Sequence, residues 1–141
     1  TYKTKNGRTV YGGGGIMPDI FVSLDTAKYT PYVNRAFYAG VINLFAFDYC
    51  DKNRTQLLKD YSAARFVSSF NLSEGAINEF FSFAKNKKVE GDVSELEKSK
   101  TNLKQLIKAL IGRNLFDKDA YYPIINETDN SIKKAVEILE K

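Results

Sequence analysis

The sequence predicts a protein of the α+β class that is mostly α, in which a short β-rich stub precedes about 110 residues of helix. An Asn-Gly turn between two strand-forming stretches predicts the stub, and a change to helical spacing of apolar residues beyond Asp25 predicts the helices. The chain has 141 residues, of which 43% are hydrophobic and 27% charged, the composition of a folded domain with a sizeable core. We expect strands over residues 1–25 and a helical domain of about five helices over residues 26–141.

The N-terminal strands are predicted over residues 2–4 and 9–11, on either side of Lys5-Asn6-Gly7-Arg8. Asn-Gly between strand-forming residues is typical of a tight β-hairpin, because both residues accept positive φ. We therefore expect a hairpin at the start of the chain.

A run of four glycines, Gly12–Gly15, follows the hairpin. A phosphate-binding loop needs a lysine and then a helix after such a run. Here Ile16-Met17-Pro18-Asp19 follows instead, which we interpret as a turn or the start of a strand, because proline biases the residue before it towards extended backbone. The glycines are expected to supply positive φ or close strand approach, and Ile20–Val22 is predicted to be a short apolar strand.

The first helix is predicted to begin at Pro31 with Thr30 as its N-cap, because proline suits the first helical position. Apolar residues then cover most of its circumference, which is typical of a helix at the centre of a core. Interrupting polar residues exclude a transmembrane span. The two apolar faces are Val33, Phe37, Val41 and Leu44, and Tyr38, Ile42, Phe45 and Tyr49.

A second, shorter helix is predicted over residues 54–62, and residues 66–70 are either strand or irregular. Ser73 is predicted to cap a helix over residues 74–86. The buried stripe of that helix is expected to be Ile77, Phe80, Phe81 and Ala84.

Asp92 and Ser94 each precede a glutamate by three residues, a pattern that favours the start of a helix. This helix is predicted to end near Leu115, and Asp117 is predicted to cap a short helix that stops before Pro123. The expected buried residues of the long helix are Leu96, Leu103, Leu106, Ile107, Leu110 and Ile111.

The last helix is predicted to begin at Thr128 or Asp129. Ser131 and Lys134 within it match S-x-x-K, a nucleophile motif of penicillin-binding enzymes, but the companion motifs S-D-N and K-T-G do not occur in the sequence. We interpret the segment as an ordinary amphipathic helix. Its inward residues are expected to be Ile132, Ala135, Val136 and Leu139.

Residue counts exclude several kinds of chemistry. The chain has no histidine, so it contains neither a Ser-His-Asp triad nor an imidazole metal site. Its one cysteine, Cys50, permits neither an internal disulfide nor a CxxC motif, and we interpret it as a packed residue. Asp117-Lys118-Asp119 begins like a calcium loop, but Tyr122 and Thr128 occupy the positions that need glycine and glutamate. The sequence therefore predicts no catalytic, cofactor-binding or metal-ligating residue.

The net charge of +4 lies entirely in the N-terminal half. Residues 1–70 hold 9 Lys and Arg against 5 Asp and Glu, whereas residues 71–141 hold 12 of each. The densest basic cluster, Lys85, Lys87 and Lys88, falls near a predicted helix end, where cations interact favourably with the helix dipole. Nucleic-acid interfaces normally carry a far more basic stripe, so we predict no nucleic-acid partner.

Residues 2–12 and 15–20 resemble a stretch of the carboxyl-terminal processing (tail-specific) serine peptidases, Y-x-T-x-x-G-R-x-[IV] followed by G-[IV]-x-P-D-[IV]. The Asn-Gly-Arg turn, the glycine before Ile16 and the Pro18-Asp19 pair occur in order and at suitable spacing. The four consecutive glycines depart from the commoner, shorter form. Residues 26–141 are similar in architecture to the helical C-terminal extension of long versions of these peptidases.

This resemblance implies a PDZ domain, a serine nucleophile and a lysine base upstream, none of which corresponds to a residue of this chain. We expect an inert C-terminal region that contacts the upstream peptidase core and protein substrates, in a periplasmic or envelope protein. The chain starts at Thr1, and its only methionine is Met17, so we also expect that a preceding segment has been removed. Isolated strands would leave edges unpaired, so we expect the hairpin either to be disordered or to pair with a second copy.

Two other hypotheses stay open. In the first, the chain is a free-standing helical interaction module, which a contiguous exposed apolar patch on the helices, with the hairpin folded independently onto them, would favour. Alternatively it is a small enzyme that uses tyrosine or carboxylates, which a deep polar pocket with perturbed carboxylates would indicate.

Overall fold

A computed structural model describes residues 1–15 and 17–141, apart from the side chain of Ala27. The predicted fold class is confirmed, because the described chain is mostly helical with a small two-stranded sheet at its start. In place of about five predicted helices, the described residues form seven. The elements are β1 (Tyr2–Lys3), β2 (Thr9–Val10), a 3-10 turn (Thr26–Lys28), α1 (Pro31–Tyr38), α2 (Val41–Asp60), α3 (Ala63–Ser69), α4 (Glu74–Asn86), α5 (Val93–Phe116), α6 (Lys118–Asn126) and α7 (Asn130–Leu139).

The predicted hairpin is confirmed. Strands β1 and β2 pair antiparallel with Tyr2 opposite Val10. Gly7 has a φ of 77° and donates its N–H to the carbonyl of Thr4 at 2.9 Å, so the Asn-Gly turn closes as expected. The predicted strand Ile20–Val22 is wrong, because this segment has no ladder with any described strand. The predicted turn or strand start at Ile16 falls partly outside the described residues.

The first predicted helix is two helices. Thr30 caps α1 as expected, since its Oγ1 accepts the N–H of Val33 at 3.2 Å. Gly40 then adopts a φ of 72°, and a left-handed residue ends a helix. Helix α2 starts directly afterwards and continues to Asp60, so the separate helix predicted over residues 54–62 is wrong.

The break at Gly40 also corrects the predicted faces. Two continuous apolar faces require an unbroken helix, and the left-handed glycine changes the direction of the chain between α1 and α2. Val33, Val41, Ile42 and Phe45 are buried as expected, whereas Phe37, Tyr38 and Leu44 are exposed.

Residues 66–70, left open between strand and irregular structure, belong mostly to α3. Ser62 caps this helix, and the fully buried Phe66 stacks on Phe70 with ring centroids 4.5 Å apart. Helix α4 has the predicted bounds, and Ser73 Oγ accepts the N–H of Ala76 at 3.1 Å. Its predicted stripe packs inward, with Ile77, Phe80 and Ala84 fully buried and Phe81 partly so.

Helix α5 crosses the centre of the domain and contacts most of the other helices. Of the two predicted caps, Asp92 and Ser94, it is Asp92 that caps the helix, with Oδ1 accepting the N–H of Glu95 at 2.8 Å. Gly112 allows α6 to approach closely, because a Cβ there would lie 2.9 Å from Ala120 Cβ and 3.1 Å from the Phe66 ring. The core therefore lies between α5 and the helices around it.

The predicted stop before Pro123 is wrong, since α6 continues through it to Asn126. Proline removes one helical hydrogen bond, but tertiary contacts hold this turn in place. Ile124 is buried, and the Gln105 amide on α5 donates to its carbonyl at 2.8 Å.

Helix α7 begins where expected, because Asp129 Oδ1 accepts the N–H groups of Ser131 and Ile132. Its predicted inward stripe is wrong. The helix has no buried residue, and Ile132, Ala135, Val136 and Leu139 are all exposed. Amphipathic spacing defines an apolar face, but a face is buried only where another element covers it.

Candidate functional site

The residues with catalytic potential lie apart. Cys50 is fully buried in α2, and burial raises the pKa of its thiol, which keeps it protonated and unreactive. Ser131 and Lys134 occupy the first turns of α7, where the Lys134 ammonium pairs with Glu137 at 3.0 Å. That lysine is therefore held by a carboxylate rather than by the serine hydroxyl.

The calcium-like and phosphate-like segments have other geometries. Asp117, with a φ of 54°, joins α5 to α6. Within the described residues, no three His, Cys, Asp or Glu side chains come together in a group that could hold a metal. Gly13 and Gly15 have positive φ values of 125° and 106°, as expected for this run. The residues described immediately after them are not helical, unlike those after a phosphate-binding loop.

The basic cluster lies at the end of α4, as predicted. Lys87 is the C-cap residue of this helix, and its ammonium lies 5.2 Å from the centroid of the Phe83 ring. Lys88 follows with a φ of 64° and turns the chain towards α5. The cluster therefore stabilises a helix end.

Lys108 is the lysine whose pKa is lowered by burial. Its ammonium donates to the carbonyl of Val67 at 2.7 Å and so ties α5 to the end of α3. A desolvated lysine is a candidate base, but here its hydrogen bond joins two helices of the core. We assign Lys108 a structural role.

A first candidate surface combines the segment 17–24 with α7, and we call it the terminal surface. Met17, Phe21 and Leu24 are strongly exposed, and the apolar stripe of α7 is exposed to degrees from 39% at Ile132 to 84% at Leu139. The two parts meet at a groove of about 440 Å³, lined by Pro18, Ile20, Phe21, Val22, Ser131, Lys134, Ala135 and Ile138. Exposed apolar areas of this kind mark interaction sites in folded proteins.

Polar contacts attach the terminal surface to the helical core. The Lys28 ammonium donates to the carbonyl of Thr128, and the Thr128 hydroxyl donates to Gln105 Oε1 at 2.9 Å. Asn102 Oδ1 is buried beside them without a hydrogen-bond partner in the described chain. These residues line a cavity of about 170 Å³ with both polar and apolar walls, which lies between the N-terminal segment and α5.

A second candidate surface is the outward side of α2, formed by Leu44, Phe47, Asp51, Arg54 and Leu58, and we call it the α2 face. Leu44, Phe47 and Leu58 are 50%, 58% and 48% exposed. At 100° per residue these positions lie opposite the buried side of the helix. A surface helix normally places charged or polar residues there.

The sequence predicted neither surface. The spacing of the α2 face is visible in the sequence, but apolar residues on the core side of the same helix obscure it. For α7 the sequence does predict the apolar stripe, and what is wrong is the expectation that this stripe faces inward.

The comparisons with known proteins give one match. The model of a family of unknown function, DUF8443, matches residues 32–117, which is more than half of the chain. This range contains the α2 face and leaves out the terminal surface. Neither a curated protein nor a solved structure matches the chain. Within the described part, no helix combines the length and the apolar character needed to cross a membrane.

Proposed function

The chain belongs to the family of unknown function DUF8443, and we propose that it is the C-terminal region of a carboxyl-terminal processing serine peptidase. The observation that carries this proposal is that the N-terminal segment is exposed and packs little against the helices. Its hairpin has only two residues in each strand and free edges, and the segment after it exposes Met17, Phe21 and Leu24. A two-stranded hairpin is marginally stable in water by itself, so these strands fit an origin in a larger sheet.

In this proposal the chain has no catalytic residue of its own. The serine nucleophile and lysine base belong to the upstream core, and the helical domain has a structural, substrate-handling or docking role. The terminal surface is the side that would face the core, because it begins within the stretch that resembles the peptidases. A periplasmic or envelope location follows from the resemblance and belongs to the same proposal.

The coding sequence that precedes the Thr1 codon tests the proposal. We expect it to encode a PDZ domain, then a serine flanked by small residues and, some two dozen residues later, a lysine. The 141-residue chain should hydrolyse no peptide, whereas the product that includes the upstream segment should. An upstream sequence without a peptidase segment, or hydrolysis by the isolated chain, would contradict the proposal.

A second candidate function is a free-standing helical interaction module. It is favoured by the range of the family match, which begins at Tyr32, after the residues that resemble the peptidases, and extends past the end of α5. If this candidate is right, the upstream coding sequence lacks the Ser/Lys segment, and replacing Phe21 by serine leaves all binding by the chain unchanged.

A further inference from the structure

Helix α2 carries apolar residues on the side that faces away from the core. The α2 face consists of positions 44, 47, 51, 54 and 58, which are separated by 3, 4, 3 and 4 residues. This is the spacing of the a and d positions of a coiled coil, where each side chain inserts between residues of a facing helix. The face therefore has the pattern of a helix–helix seam, and its apolar residues Leu44, Phe47 and Leu58 are exposed within the described chain.

The charges on this seam are self-complementary. In an antiparallel pair of identical helices, a positions oppose d positions of the partner. If Asp51 opposes Arg54 of a second copy, the two-fold axis forms this ion pair twice. The same register places Phe47 opposite Leu58, again twice. A two-fold interface requires this kind of reciprocal match.

We propose that the chain forms a homodimer in which two α2 faces pack antiparallel around this pair of Asp51–Arg54 contacts. Asp51 is exposed, and the Arg54 guanidinium uses one nitrogen on the Asn114 carbonyl at 3.4 Å. Its other N–H groups are the donors for the partner carboxylate, since guanidinium binds carboxylate in a fork. Leu44 lies at the end of the seam, opposite the C-terminal end of the partner helix.

A second copy fits this face better than an unrelated partner because both charges of each ion pair come from the face itself. Polar residues at a and d positions fix the register of helix pairs. The contact is independent of the peptidase proposal, because all five residues lie within the family match and outside the terminal surface. It is also distinct from dimerisation through the N-terminal hairpin, which stays a separate prediction.

One helix pair buries little area, so the dimer is weak when formed by this chain alone. We expect a dissociation constant on the order of 100 µM. Sedimentation equilibrium of the 141-residue chain, from about 10 µM to about 1 mM, covers this range. Far-UV circular dichroism and thermal melting of each variant check that the exposed substitutions leave the fold intact.

The test is a charge-reversal cycle. The Asp51→Arg substitution places arginine opposite arginine in both contacts, and Arg54→Asp places aspartate opposite aspartate. Each single variant should therefore weaken the dimer at least tenfold. The double variant restores opposite charges in every pair and should recover the dissociation constant of the native chain to within about threefold. Recovery in the double variant distinguishes this contact from a nonspecific effect of charge.

Two control variants alter the other surface. Glu137→Lys reverses a charge on α7, and Phe21→Ser removes an exposed apolar residue of the terminal surface. Neither should change the association of α2 faces. A strict monomer at the highest concentration would overturn the proposal. So would a dimer that ignores both single reversals, or one that is lost in either control variant.

Discussion

Two phenylalanines show how the helical core differs from the terminal surface. Phe66 on α3 is 0% exposed, stacks on Phe70 and meets the edge of Tyr61. Phe21 in the N-terminal segment is 83% exposed. The same side chain is thus surrounded on every side in one region and left in solvent in the other.

The difference shows that an apolar sequence pattern identifies a face that favours burial. The pattern does not identify the element that buries it. Phe66 finds its partners within the described chain, on α5 and on the segments that flank α3. Phe21, Leu24 and the stripe on α7 stay exposed in the described chain, although the segment and the helix meet at one groove. We attribute this to a partner that the chain contacts elsewhere, which is the upstream sheet in our proposal.

The largest expected effect contrasts these two phenylalanines directly. Phe66→Ala should lower the free energy of unfolding by about 3–5 kcal/mol, because it leaves a cavity in a packed aromatic cluster. Phe21→Ala should change it by less than about 0.5 kcal/mol. Urea unfolding followed by circular dichroism measures both, and equal losses would show that the N-terminal segment belongs to the core.

A smaller effect is expected from adding one methyl group. Gly112→Ala should cost about 1–3 kcal/mol of unfolding free energy, because the new Cβ would press on Ala120 and Phe66 at the contact of α5 with α6. Gly14→Ala is the matched control, since a Cβ there meets nothing within 4 Å. An unchanged stability for the Gly112 variant would show that the α5–α6 contact is looser than described.

The core also contains a polar atom whose removal should increase the stability of the fold. The Tyr32 hydroxyl is buried without a hydrogen-bond partner among the described residues. Tyr32→Phe keeps the ring and removes that group, so stability at pH 7 should rise by about 1 kcal/mol. Tyr38→Phe, at a strongly exposed position, should have no effect. Loss of stability in the Tyr32 variant would indicate a partner for the hydroxyl.

The same residue predicts a pH dependence. Burial is the main cause that raises the pKa of Tyr32 to about 12, with Arg35 opposing the change and Glu95 adding to it. The folded chain therefore keeps this proton to a higher pH than the unfolded chain, whose tyrosines titrate near 10. The resulting stability is complete below pH 10 and is lost as the pH rises towards 12. Chemical unfolding across this range should show a shallower decline for Tyr32→Phe than for the native chain.

The smallest expected effect on stability comes from removing a helix cap, and it should differ between α4 and α7. Ser73→Ala should lower global stability by about 1 kcal/mol, because α4 packs in the core. Asp129→Ala removes an equivalent cap from α7, which has no buried residue. It should reduce helical signal without moving the global unfolding midpoint. A shift of that midpoint would mean that α7 is coupled to the core.

Local signals in the sequence were sufficient for much of the fold. The sequence predicts the caps at Thr30 and Ser73, and those at Asp92 and Asp129 as one of two alternatives each, because a side-chain oxygen and a nearby N–H lie within one turn of the chain. The hairpin was predicted for the same reason, since Asn-Gly fixes its own turn. These interactions do not depend on distant residues.

The errors arise where distant residues decide the structure. Pro123 ought to end α6, but packing of Ile124 and the Gln105 hydrogen bond hold the helix together. Gly40 is a local exception, because its positive φ breaks a helix across which the apolar pattern is continuous. The exposed α2 face and the terminal surface depend on what lies beside them, and the pattern of one chain contains no such information.

Hydrogen exchange is the most direct test of our central claim that residues 1–25 complete a sheet of an upstream peptidase core. Amide exchange should be measured in the 141-residue chain and in the product that includes the upstream segment. We predict that the amides of Thr9, on the outer edge of the hairpin, and of residues 20–22 exchange without protection in the short chain. They should become protected in the longer product, while α5 is protected in both. Unprotected amides in both proteins, or protected ones in the short chain, would contradict the claim.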